Sequence, residues 1–171
     1  MSRYAASVES QAAQLAGAPS GTTFNGYFAA VVAGANQGFI VRRVVLGVRA
    51  GASVPTSQQM TVGIYRQTVR PTSTGFSTTT GVALTTYGNS TSGISGIDVT
   101  TAASANTTGP TIGATALYRY SFNTQSALDL PYELLEELTC TTGTANGIAF
   151  VNLGNALPAS HLFTLAVEWE E

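Results

Sequence analysis

The clearest alternation of apolar and polar positions lies between Phe39 and Arg66. Residues 39–49 read FIVRRVVLGVR and residues 60–66 read MTVGIYR. In the second run Met60, Val62 and Ile64 share one side, and Thr61, Gly63 and Tyr65 the other, which is the period of a strand with one face buried. In the first run Val44, Val45, Leu46 and Val48 favour a pleated surface, because their side chains suit half-buried strands. The intervening AGASVPTSQQ is small, polar and broken by Pro55, so the pattern predicts two antiparallel strands joined by a ten-residue loop.

The same reading predicts strands over 24–32, 82–87, 96–100, 114–122, 147–153 and 162–169. In the last of these Phe163, Leu165, Val167 and Trp169 alternate with Thr164, Ala166 and Glu168. Residues 2–16 place Val8, Ala12 and Leu15 on one side and read as a short helix, or as an arm that orders against a neighbour; GAPSG at 17–21 ends it. YELLEEL at 132–138 has helical spacing in Leu134, Leu135 and Leu138 and is read as a helical turn, the alternative being an extended link. Residues 88–113 form a long polar excursion, of the kind that carries contacts on a rigid scaffold. About eight strands with Gly- and Pro-marked turns define an all-β chain. An antiparallel β-sandwich of jelly-roll type is expected over 21–171, preceded by an N-terminal arm or helix over 1–20.

Composition sharpens this picture. The chain has 171 residues, enough for one domain with a real core, and 44% of them are hydrophobic. Only 9% are charged, and all seven basic residues are arginine. Lysine is the residue that interfaces avoid and arginine one they accept. Either much of the surface is covered by other subunits, or the composition follows a GC-rich coding habit.

The net charge of −2 argues against nucleic-acid binding, which needs clustered basic residues. Nothing approaches the ~20 apolar residues of a membrane span, and no export leader is expected at the N-terminus. The sequons at Asn89 and Asn106 then carry no meaning.

Candidate chemistry is sparse. One Cys, Cys140, and one His, His161, cannot make a metal cluster or a disulfide framework. Cys140 reads as a buried inert thiol and His161 as a structural or exposed side chain, with a Cys–His nucleophile pair as the functional alternative. Asp98, Asp129, Glu133, Glu136, Glu137 and Glu168 could in principle supply a sugar-cleaving carboxylate pair, but three of them share one segment and read as a solvated face. No phosphate-loop, dinucleotide or nucleophile-elbow motif is present. No catalytic residue, cofactor or metal is expected, and the chain is read as not an enzyme.

The arginines carry more. Arg42, Arg43, Arg49, Arg66 and Arg70 fall close together with no acidic residue among them. Their partners lie far along the chain, with Glu133, Glu136 and Glu137 as candidates, or on another subunit, where guanidinium geometry is favoured. These five are the candidate inter-subunit contacts. Arg42 and Arg43, being adjacent, are expected on opposite sides of their strand.

RRVVLGVRAG at 42–51, MTVGIYR at 60–66, and then LDLP, GIAFVNL and the closing FTLAVEWEE are similar in order and style to virion structural proteins of tailed bacteriophages. They look like the small jelly-roll proteins that coat or bind together phage heads. The resemblance covers most of residues 24–170, apart from 67–113. It implies a capsid decoration, or cement, protein that is a homo-oligomer, usually a trimer. Its partners would be itself and the major capsid protein, with no membrane or nucleic acid, and its location the virion. The alternative is a carbohydrate- or receptor-binding module of a phage tail or fibre, or another capsid or collar component.

Overall fold

The computed structural model describes residues 2–10, 26–51, 56–70, 76–79, 92–100, 110–158 and 160–171. Twelve strands occur among them, and no helix: β1 Arg3–Glu9, β2 Tyr27–Val32, β3 Phe39–Ala50, β4 Gln59–Val69, β5 Phe76–Thr79, β6 Gly96–Thr100, β7 Thr111–Ile112, β8 Tyr118–Asn123, β9 Leu128–Pro131, β10 Leu138–Cys140, β11 Gly147–Asn152 and β12 His161–Glu170. They form two antiparallel sheets. The first runs β1-β12-β3, with β9 and β10 end to end along the far edge of β3. The second runs β5-β6-β2-β11-β4, with β8 and β7 end to end along the far edge of β4. The chain is an all-β sandwich.

Three expectations change. β3 and β4 are each strands as predicted, but they lie in different sheets and so do not form a hairpin. Residues 3–9 are neither arm nor helix. RYAASVE alternates, with Tyr4 and Ala6 buried, and pairs with β12 from Arg3 opposite Glu170 to Glu9 opposite Thr164. The segment after Tyr132 is a turn, with Leu134 and Leu135 exposed and Leu135 at φ 77°. Leucine spacing over seven residues is too short to separate a helix from such a turn. The strand predicted over 82–87 and the break at 17–21 lie outside the described residues.

The core follows from the alternation. Met60, Val62 and Ile64 of β4 face Phe163, Leu165, Val167 and Trp169 of β12, all of them buried. Phe28 of β2 stacks on Phe163 of β12 with centroids 4.3 Å apart, which ties one sheet to the other. Each such fully buried side chain contributes about 2–3 kcal/mol of apolar burial.

β2 and β11 are buried at every position, although strands facing water on one side alternate. Their outer side carries a second apolar cluster, Tyr27, Ala30, Val32, Tyr65, Ala149 and Val151, onto which Ile112, Ala116 and Leu153 pack. The centre of the second sheet is therefore covered on both faces, and the first sheet presents its outer face outward.

Candidate functional site

That outer face is organised by a β-bulge. Arg43 lies opposite Glu168 and Val41 opposite Trp169, so the pairing passes over Arg42. One extra residue turns both arginines to the same side. This corrects the expectation that they face opposite ways. Arg42 donates to Glu170 at 2.6 Å and to Glu137. Arg43 holds Asp129 through two parallel bonds, Nε to Oδ1 at 2.8 Å and Nη2 to Oδ2 at 2.7 Å, and reaches Glu168 at 3.2 Å. Arg3 lies 3.8 Å from Glu170, and at the other end of the face Arg49 donates through Nε to Glu9 at 2.8 Å.

Between these ion pairs the face is small and uncharged. Ser7 lies opposite Ala166 and Ala166 opposite Val45; Glu9 lies opposite Thr164 and Thr164 opposite Gly47. Beside them a shallow depression of about 260 Å³ is lined by Ala5, Ser7, Val45 and Ala166 together with the paired Arg43 and Glu168.

The other two predicted arginines belong to the second sheet. Arg66 donates to the Thr139 carbonyl at 2.9 Å. Arg70 binds Asp98 through Nε at 2.7 Å and Nη2 at 2.6 Å. The five arginines are thus not one cluster. Four of them have carboxylate partners in their own chain, and of the carboxylates proposed for that role only Glu137 takes part. Asp98 is itself buried, and its partner Arg70 lies 28 residues away in sequence, too far for a local pattern to mark the pair.

The remaining candidates separate. Cys140 lies opposite Phe39 and His161 opposite Ala50, at the two ends of β3. At about 3.3 Å per residue that places them roughly 35 Å apart, too far for a nucleophile pair. Burial pushes the Cys140 thiol up to about 11. His161 is buried, and its Nε2 accepts the Thr56 N–H at 3.3 Å.

Two of the candidate carboxylates, Asp129 and Glu137, are held low. A general acid needs a raised carboxyl, whereas the Arg43 bond holds Asp129 below its usual range. Burial opposes ionisation of Glu137, but backbone N–H groups and Arg42 outweigh it and hold that carboxyl low as well. No group of three or more His, Cys, Asp or Glu side chains suited to a metal ion occurs among the described residues.

A second hollow, about 580 Å³, opens at the other end of the face and is lined by Gly47, Thr124, Gln125, Ser126, His161 and Thr164 among others. Its lining is uncharged, and the sequence offered no signal for it, because three separate segments build it.

No protein-family model matches the chain, and neither does any curated protein or solved structure.

Proposed function

We propose that this chain is a non-enzymatic virion structural protein, a decoration or cement protein that seats on the outside of a phage head and stabilises it. The observation that carries the reading is the outer face of the first sheet. Ala5, Ser7, Val45, Gly47, Thr164 and Ala166 form a small, uncharged surface across three strands, and the arginines beside it are already paired with carboxylates of the same chain. Such a surface loses little solvation when covered, because its charges keep their partners. Weak contacts of this kind gain by repetition on an ordered lattice.

The strand order supports the jelly-roll form of the fold. With β5, β6 and β7 set aside as an insertion and β9 and β10 taken as one broken strand, the remaining eight are ordered 1-8-3-6 and 2-7-4-5. That is the order of two interleaved Greek keys. Fold alone assigns no task.

The test is binding to purified heads of the phage that encodes the chain, followed by co-sedimentation. The protein is expected to pellet with the heads, and Ala166→Arg to remain in the supernatant while staying folded. Wild-type protein that never pellets, and is absent from purified virions, removes the reading.

The uncharged hollow beside His161 favours one second reading, a carbohydrate- or receptor-binding module of a tail or fibre. Hydroxyl and amide side chains at Thr124, Gln125, Ser126 and Thr164 suit a neutral sugar. Selective glycan-array binding that is lost in Gln125→Ala would favour it over cement.

A further inference from the structure

All seven arginines and all nine Asp and Glu residues lie among the described residues. Arg3, Arg42, Arg43, Arg49 and Arg70 are in ion pairs within the chain. Among the described residues, Arg66, Arg119, Glu133, Glu136 and Glu171 have no oppositely charged side chain beside them. Glu171 is occupied otherwise, by the Gly93 N–H at 2.8 Å and the Trp169 indole at 2.9 Å.

The other four gather at one edge of the sandwich, where β8 of the second sheet faces the β9–β10 border of the first. Arg119 sits between Tyr118 and Tyr120 on β8. Glu133 follows Tyr132, whose ring lies 5.9 Å from that of Tyr118. Burial raises the Tyr120 phenol, and Glu136 lies near enough to add to that effect. Arg66 reaches across to Thr139 of β10.

The same edge carries four of the five exposed large apolar side chains among the described residues: Leu134 and Leu135 at 77% and 91% exposure, with Leu117 and Tyr118 at 36%. Tyr118 stacks on Tyr120 at 5.8 Å. Tyr132 is itself buried, with its phenol next to that of Tyr120. The two leucines are held out by construction. Leu135 sits at φ 77°, a conformation a bulky residue avoids, and its N–H is fixed by Glu137 Oε2 at 2.8 Å, while Glu137 is held in turn by Arg42.

We propose that this Tyr118–Tyr132–Leu134–Leu135 edge is where a second copy of the chain docks. The charge pattern selects that occupant. Arg66, Glu133 and Glu136 border the apolar patch, and Arg119 projects from the other face of the same edge strand, opposite Gly63, so the edge carries unmatched charge of both signs and is complementary to itself. Arg66 and Arg119 of one copy meet Glu133 and Glu136 of the next, with leucines and tyrosines buried between them. The inference rests on the reading of the chain as an assembling structural protein. It moves the subunit contact away from Arg42, Arg43, Arg49 and Arg70, which are satisfied at home.

The experiment is sedimentation velocity of the full chain over a range of roughly 1–100 μM, in which typical protein association is resolved. The wild type is expected above monomer mass. Leu134→Ser with Leu135→Ser, both at exposed positions and so compatible with folding, is expected to weaken association at least tenfold. Arg119→Glu is expected to weaken it too, and adding Glu133→Arg and Glu136→Arg to restore it. A wild type that is monomeric throughout, or variants that sediment as the wild type does, overturns the proposal. Head binding by the same proteins keeps the two readings apart. A monomer that binds heads removes this interface and leaves the cement reading; an oligomer lost in the leucine variant but indifferent to heads does the reverse.

Discussion

Arg70 grips Asp98 through two parallel hydrogen bonds although two strands lie between them. Arg70 follows the end of β4 and Asp98 sits on β6, with β11 and β2 separating the two. Asp98 lies opposite Ala30, and Ala30 opposite Ala149, so the row between them carries only methyl side chains. The pair therefore ties β6 back toward β4 across the outer face of the sheet, beside Tyr27 and Gln67, which are themselves bonded at 2.9 Å.

The two ends of this pair are not equivalent. The Asp98 side chain is 2% exposed and that of Arg70 28%. Arg70→Ala leaves a buried carboxylate without its cation and is expected to cost about 3–5 kcal/mol. Asp98→Ala leaves an arginine that can turn to water and is expected to cost less. Urea denaturation of both variants measures the difference; equal losses would contradict the asymmetry.

β1 is part of the core and not a detachable arm. Tyr4 stacks on Trp169 with centroids 5.8 Å apart and planes 17° apart. Tyr4→Ala is expected to cost about 3 kcal/mol, as aromatic truncations in cores do. Because Trp169 is the chain's single tryptophan, its emission should shift to the red in that variant and in a chain lacking residues 2–10. Unchanged emission and stability in the truncated chain would restore the arm.

Cys140 supplies a pH dependence whose sign is fixed. Its thiol is raised from an ordinary value near 9 to about 11, chiefly by burial. Between those values the unfolded chain has lost the proton and the folded chain keeps it, so stability falls as pH rises through that interval. Cys140→Ala should lose this fall. At pH 8 the folded thiol should react with iodoacetamide about a hundredfold more slowly than the unfolded one, since the thiolate is the nucleophile. Equal labelling rates would contradict it.

How far the sequence reached differs from element to element. β4 and β12 could be read residue by residue, because one face of each is buried and one is not. β2 and β11 were found as strands, but their burial on both faces depends on residues such as Ile112 and Ala116 far along the chain. β1 was misread because Val8, Ala12 and Leu15 offered a helical spacing beside the true alternation of Tyr4, Ala6 and Val8. The partners of Arg42 and Arg43 lie 86 to 128 residues away, and no local pattern encodes that distance. The bulge that aligns the two arginines is a property of pairing with β12, not of the strand that contains them. The exposed leucines were taken for a helical stripe because apolar spacing cannot report whether anything lies opposite.

The Arg42–Glu137 pair carries the last prediction, because it joins the ordered face of the first sheet to the leucine turn. Glu137 accepts from Arg42 through one carboxylate oxygen and from the Leu135 N–H through the other. Arg42→Met removes the cation, frees Glu137 to swing into water and leaves Leu135 in an unfavourable conformation with nothing to hold it. Amide exchange at Leu135 and Glu136 is then expected to speed up on the order of tenfold, while β4 and β11 amides stay protected, since local openings draw on few buried contacts. Adding Leu135→Gly should return the turn to slow exchange, because glycine occupies φ 77° without strain. Exchange that rises everywhere in Arg42→Met would mean the arginine serves the whole sandwich rather than this turn; exchange that rises nowhere would mean the turn holds itself.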